Sequence, residues 1–203
     1  RYLNPLPADR LVSEVMSKHV VTLSPYLAVH EAWKLMLENR LKAMPVVDKD
    51  GKVAGILTDE DLLERAGIQE RLSVAVRMEP AEINEQLRAL QNSPLKVAAV
   101  MTRPVITAQQ TETLGAVTAR MVKAGLKRVP VVDEKDKLVG MLSRLDILHL
   151  VANTPLEALP PQSPLGAVRT VREIMSANIP MVNQDDNLVQ VVERFAQANT
   201  HRL

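Results

Sequence analysis

Cysteine is absent from all 203 residues, which excludes disulfides, thiolate metal sites and cysteine nucleophiles. Aromatic side chains are almost as scarce: one Trp, two Tyr and one Phe make up 2% of the chain. The 46% that is hydrophobic must therefore build an aliphatic core. Charge of one sign is missing too. Twenty-five basic against twenty-four acidic residues leave +1, so electrostatics give no case for nucleic acid or an anionic membrane as partner. No apolar run approaches the roughly 18 residues that span a bilayer, and no signal-peptide pattern is present. His19, His30, His149 and His201 lack metal-ligand spacing, and neither a glycine-rich phosphate loop nor a Ser/His/Asp set occurs. The lack of cysteine fits a reducing setting, and a cytoplasmic location is expected.

What the chain does contain is a duplication. Adding 85 to the numbering carries Met16 onto Met101, Val20 onto Val105, Thr22 onto Thr107, Met36 onto Met121 and Leu41 onto Leu126. The run Pro45-Val46-Val47-Asp48 falls on Pro130-Val131-Val132-Asp133, Gly55 on Gly140, and Asp61 on Asp146. A further shift of 74 carries Met101 onto Met175, Leu114 onto Leu188 and Arg128 onto Arg202, and this third copy stops at Leu203. A single unit of this length cannot bury its own apolar face, so copies stack and sites form in the clefts between them. The chain reads as a piece of a longer one, in which a fourth copy would complete a second pair.

Each repeat reads as strand, helix, strand, strand, helix. Val20-Val21-Thr22 is a β-branched run, and Val105-Ile106-Thr107 is its counterpart. Val29, Ala32, Trp33, Met36 and Leu37 then recur at helical spacing, as do Leu114, Val117, Met121 and Val122. Two apolar runs joined by Asp48-Lys49-Asp50-Gly51-Lys52 predict a hairpin. The second copy has Asp136 in place of the glycine, so a different turn is expected there. Met16, Met36, Met101 and Met121 read as core fillers. Pro80 opens an amphipathic stretch with proline at its first turn, and Pro155, Pro160, Pro161 and Pro164 mark a linker. The organisation expected is a lead-in over 1–11, repeat 1 over 12–66, a helical connector over 67–96, repeat 2 over 97–153, a linker over 154–169 and a truncated repeat 3 over 170–203.

Gly55-Ile56-Leu57-Thr58-Asp59-Glu60-Asp61 runs from strand into helix, and Gly140-Met141-Leu142-Ser143-Arg144-Leu145-Asp146 does the same. A hydroxyl at the helix start and a carboxylate three residues on can accept hydrogen bonds from a ribose diol, beside the helix's free N–H groups. The same pattern is an ordinary N-cap. On the ligand-binding reading, the glycine lets a ligand approach the backbone.

Met-Ser/Thr at the repeat start, Pro-Val-Val-Asp, and Gly-x-x-Thr/Ser-x-x-Asp in this order resemble the cystathionine-β-synthase (CBS) domain. The resemblance implies an α/β (α+β) fold of tandem β-α-β-β-α repeats, paired by pseudo-two-fold sheet packing into a Bateman module with two clefts. It implies ribose contacts from Thr58 and Asp61 in the first repeat and from Ser143 and Asp146 in the second. Base pockets would come from Val20, Thr22, Ala43, Met44 and Pro45, and from Val105, Thr107, Val129 and Pro130. Lys127 and Arg128 would face phosphate, whereas the first repeat has Lys42-Ala43 there.

The function implied is regulatory and not enzymatic. An adenosine-type ligand (AMP, ADP, ATP or a related adenosyl compound) would occupy the cleft between paired repeats and control an attached or partner domain. No other cofactor is required; a homodimer is expected, without nucleic acid or membrane contact. A structural dimerisation module with non-functional clefts is the alternative, and the two are separated by response to ligand.

Overall fold

The computed structural model describes residues 7–153, and beyond them 181–183, 185–187, 189–191 and 193. The proline-rich linker, His201-Arg202 and most of the third repeat lie outside the described residues. The chain divides into two compact units, Arg1–Ala158 and Leu159–Leu203. In the second, Asn187 stands at the position of Thr113, and its side chain accepts the Val189 N–H at 2.8 Å to open a helical turn.

The first unit contains both complete repeats. After a short 3₁₀ turn at Pro7–Asp9, repeat 1 supplies α1 (Val12–Val15), α2 (Val29–Asn39), β1 (Ala43–Val47), β2 (Val53–Thr58) and α3 (Asp59–Ala66). The connector holds α4 (Leu72–Ala75) and α5 (Pro80–Gln91), the latter with the expected proline at its first turn. Repeat 2 gives α6 (Val97–Val100), β3 (Ala108–Gln109), α7 (Leu114–Lys123), β4 (Arg128–Val132), β5 (Leu138–Ser143) and α8 (Arg144–Ala152). Strands β1 and β2 pair antiparallel, as do β4 and β5, with a register shift between Val46 and Val47 in the first hairpin and between Val131 and Val132 in the second. Strand β3 joins β4 in parallel.

The strand expected at Val20–Thr22 forms later than the β-branched run. Leu23 alone pairs with β1, its N–H donating to Pro45 O at 3.0 Å and its carbonyl accepting Val47 N–H at 2.9 Å. One step back, the carbonyl of Val21 would need an N–H from residue 45, and proline has none. Pro130 imposes the same limit, and β3 starts at Ala108 rather than in Val105–Thr107. The hairpin loops also depart from expectation. Asp136 adopts φ 61°, taking over the left-handed position that Gly51 fills at φ 80°, and both loops close alike. Aspartate tolerates this region better than most residues, so the turn type is conserved between copies without the glycine.

Two aliphatic cores result, and each borrows from the other repeat. Core 1 gathers Trp33, Met36, Met44, Val46, Leu57 and Leu62 from repeat 1, but also Val97, Val100 and Met101 from the start of repeat 2. Core 2 gathers Leu114, Val117, Met121, Val129, Val131 and Leu142, together with Val12 and Met16 from the start of repeat 1. The backbone follows suit. Ser17 exchanges both hydrogen bonds with Met141 at 2.9 Å, and Thr102 does so with Ile56 at 2.9 and 3.1 Å. These reciprocal contacts are the pseudo-two-fold relation written in residues. The connector covers core 1 with Ile68, Leu72, Ala75 and Leu90, whereas α8 carries no buried residue and leaves Leu145 and Leu148 exposed. Val122, counted in the apolar stripe of α7, is exposed as well. Among the described residues no helix is long and apolar enough to cross a membrane.

Candidate functional site

Both predicted helix starts form as reciprocal capping boxes. Asp61 Oδ2 accepts the Thr58 N–H at 2.8 Å and its hydroxyl at 2.6 Å, while Thr58 Oγ1 accepts the Asp61 N–H at 3.1 Å. Ser143 and Asp146 repeat this with 2.7, 2.6 and 3.3 Å. Each box satisfies N–H groups that the first helical turn leaves unpaired. In both boxes this leaves Oδ1 of the aspartate directed elsewhere.

A cleft of about 670 Å³ lies over the second box, within the range of small-molecule sites. Its walls come from both repeats. Repeat 1 contributes Ser17, His19, Val20, Ala43 and Pro45; repeat 2 contributes Lys127, Arg128, Ser143, Arg144 and Asp146. The expected sites kept base and ribose contacts within one repeat, whereas this cleft joins Val20, Ala43 and Pro45, expected at the first base pocket, to Ser143, Asp146, Lys127 and Arg128, expected at the second ribose and phosphate. The physical reason is the exchange described above: the segment 17–23 leaves α1, which packs on core 2, and crosses back to β1.

Strand alternation sorts the remaining candidates. Ala43 and Pro45 face the cleft, while Met44, between them, is fully buried in core 1. In β4, Arg128 faces the cleft and Val129 is buried in core 2. Met44 and Val129 are thus core residues and not lining. Thr22 is exposed and outside this cleft. Thr107 turns its carbonyl to the Arg120 guanidinium at 3.1 Å, and neither it, Val105 nor Pro130 borders this cleft. Gly55 and Gly140 serve packing rather than ligand approach. A Cβ on Gly55 would overlap Met101 Sδ, and one on Gly140 would overlap Met16 Sδ.

The two boxes differ in their surroundings. The cleft over Asp146 is also lined by the cations Lys127, Arg128 and Arg144 and by His19. Asp146 Oδ1 faces the Ser17 hydroxyl at 3.4 Å, too long for a good O–H···O bond. Asp61 Oδ1 instead accepts the Thr102 hydroxyl at 2.7 Å and lies 3.3 Å from Arg65 Nη1, leaving Asp61 only 5% exposed. Where the second box has Arg144 and Leu145, the first has Asp59 and Glu60. His19, Asn39 and Arg144 were not singled out from the sequence. A charge reversal at matched positions, Asp59 against Arg144, was the available signal for the last. Among the described residues no group of three or more His, Asp or Glu could hold a metal ion.

The family model for the CBS domain matches residues 12–67, 97–153 and 171–203. A CBS domain-containing protein of Dictyostelium discoideum is 31% identical over 153 residues, covering 75% of this chain and 98% of its own length. The 5'-AMP-activated protein kinase subunit gamma-3 of Bos taurus is 28% identical over 189 residues, 92% of this chain but 35% of that subunit. Among solved structures, a CBS domain pair in complex with 5'-methylthioadenosine and S-adenosyl-L-methionine matches with TM-score 0.52 and 28% identity. The match covers 70% of this chain and 96% of that one. The CBS domain of a membrane protein from Sphaerobacter thermophilus matches with TM-score 0.57 and 31% identity over 70% of this chain and 88% of its own.

Proposed function

We propose, from the premise that the chain belongs to the CBS-domain family, that its first unit is a regulatory module binding a phosphorylated adenosine-type ligand in the cleft over Asp146. Asp146 Oδ1 takes the ribose diol in place of the loose Ser17 contact. Val20, Ala43 and Pro45 hold the base by apolar and backbone contact. Arg128 offers a planar fork to phosphate, with Lys127 and Arg144 adding charge. The observation that carries this reading is that Lys127, Arg128 and Arg144 line the same cleft of nucleoside size as Asp146, whose Oδ1 is met only by the long Ser17 contact. The adenosyl ligands named for the matched domain pair support the nucleoside part, and the cationic rim favours AMP, ADP or ATP over an uncharged or sulfonium compound.

The cleft is walled by both repeats, so a ligand that fits one relative placement of the repeats better than another shifts the balance between them. An attached or partner domain would read that shift. Such control requires different affinities for the two placements, because a ligand that binds both equally moves nothing.

A thermal-shift series with AMP, ADP, ATP and S-adenosylmethionine tests the reading. At 100 times Kd a native-state ligand stabilises by about 2.7 kcal/mol, a rise of several degrees in Tm for a unit of this size. The rise is expected with the phosphorylated ligands, is expected to shrink as salt increases, and should vanish in Asp146→Asn. A rise that survives Asp146→Asn, or that S-adenosylmethionine produces equally, would remove the assignment.

A further inference from the structure

The two capping boxes are near copies, and a hydroxyl from the opposite repeat meets each aspartate, but it does so at 2.7 Å with Arg65 alongside at Asp61 and at 3.4 Å at Asp146. We infer that the two clefts have diverged: the one over Asp146 takes the ligand, and its sister over Asp61 is closed by the chain itself and clamps the repeats together. The ligand half rests on the function proposed above; the clamp half stands on the geometry alone.

Asp61 belongs to repeat 1, and Thr102, whose hydroxyl it accepts at 2.7 Å, opens repeat 2. Arg65, one helical turn after Asp61, closes the arrangement. Its Nη1 lies 3.3 Å from Asp61 Oδ1 and also reaches Val100 O at 3.1 Å, Met101 O at 3.3 Å and Thr102 Oγ1 at 3.5 Å. One guanidinium thus ties the last turn of α3 to the end of α6, whose carbonyls would otherwise lack partners. The carboxylate it neutralises is buried, and a buried carboxylate without such partners is costly. A ribose diol could reach Asp61 Oδ1 only by displacing both Thr102 and Arg65.

The sister positions lack this device. Leu150 stands where Arg65 would be, so no guanidinium crosses to Ser17, and the Ser17 hydroxyl stays 3.4 Å from Asp146. Charge runs the same way. A phosphate entering beside Asp61 would meet Asp59 and Glu60, which hold the places of Arg144 and Leu145. A divalent ligand anion is therefore disfavoured twice at Asp61, by an occupied acceptor and by like charge.

The test is a matched set on the full 203-residue chain: Asp61→Asn, Arg65→Leu and Asp146→Asn, each measured by ATP titration calorimetry and by urea unfolding followed through the single tryptophan, Trp33. Wild type should bind one ATP per chain. Asp61→Asn and Arg65→Leu should keep affinity within about threefold while lowering the urea midpoint. Asp146→Asn should weaken ATP at least about tenfold and move the midpoint less than either. Arg65→Leu installs the residue of the sister position, and it reads the clamp even if Asp61→Asn fails to fold. Two equivalent ATP sites, or loss of ATP on Asp61→Asn or Arg65→Leu equal to that on Asp146→Asn, would overturn the inference. Should wild type bind none of AMP, ADP and ATP, the proposed function fails and the midpoints still decide the clamp: lower for Asp61→Asn and Arg65→Leu upholds it, and unchanged for both overturns it.

Discussion

Gly55 and Gly140 lie in the middle of β2 and β5, each beneath a methionine sulfur from the other repeat. A flexible thioether fills the space a side chain would take, and this lets the two repeats approach closely along the pseudo-two-fold. The pair is not equally tolerant. The nearest neighbours of a Cβ on Gly55 all belong to the Met101 side chain, which can turn aside. On Gly140 the Ser17 carbonyl stands 3.0 Å away, and Ser17 is held by its paired hydrogen bonds to Met141. Gly140→Ala is therefore expected to cost about 1–3 kcal/mol, as overpacked sites do, and Gly55→Ala less. Denaturant midpoints of the two variants check this order, and a larger loss for Gly55→Ala would contradict it. Trimming the methionine, in Met16→Ala/Gly140→Ala, should recover little, because the carbonyl remains.

Helix α7 and helix α2 are counterparts, but α5 packs on α2 whereas the 3₁₀ turn Pro7–Asp9 packs on α7, and their side chains record the difference. Under α5, Leu27 and Leu35 pack against core 1; their matches are Glu112 and Arg120, which form a bidentate pair with both bonds at 2.8 Å. Glu112 also accepts the Gln109 N–H at 2.7 Å, so the pair pins α7 to the end of β3. The guanidinium's hydrogen bonds hold the Glu112 carboxyl below its ordinary 4.5, against a smaller opposing effect of burial. A carboxylate depressed on folding stabilises above its unfolded value and loses that contribution as pH falls through the lower, folded one. Glu112→Gln should thus cost about 1 kcal/mol near neutrality, modest because both side chains are partly exposed. The gap between wild type and variant should close below about pH 4; a gap that is constant from pH 7 to pH 3 would mean the pair contributes through shape and not charge. Elements of this kind set what sequence could tell. The hairpins, the capping boxes and the proline-led α5 were legible because their signals are local. The first strand of each repeat was displaced because a proline in the partner strand, remote in sequence, withholds the N–H it needs. The sorting of Met44 from Ala43 and Pro45 needed the pleat direction, and the two-repeat cleft needed the exchange of lead-in segments, which no spacing within one repeat encodes.

At the scale of the whole unit, duplication alone would give two repeats that fold side by side, each with its own core. The exchange of α1 and α6 gives something else: neither core is complete until both repeats are present, and the chain order of the lead-in is opposite to its packing. Val12 and Val97, both fully buried, are the residues that separate these two views. Val97 belongs to the sequence of repeat 2 yet packs in the core that holds Trp33 and Met36; Val12 opens repeat 1 yet packs with Leu114 and Leu142. Truncating either to alanine removes two buried methyl groups and should cost about 1–3 kcal/mol. The locations of the damage should cross over. In Val97→Ala, hydrogen-exchange protection should fall first in α2 and β1 and Trp33 emission should respond. In Val12→Ala the loss should fall on α7 and β4 with Trp33 little changed. Such a crossover would also bear on signalling, since a ligand seated on walls from both repeats then bears on two cores whose closing segments each come from the other. Loss confined to the repeat that carries each substitution would show the repeats to be independent, and a ligand at their junction would then have no shared core through which to act.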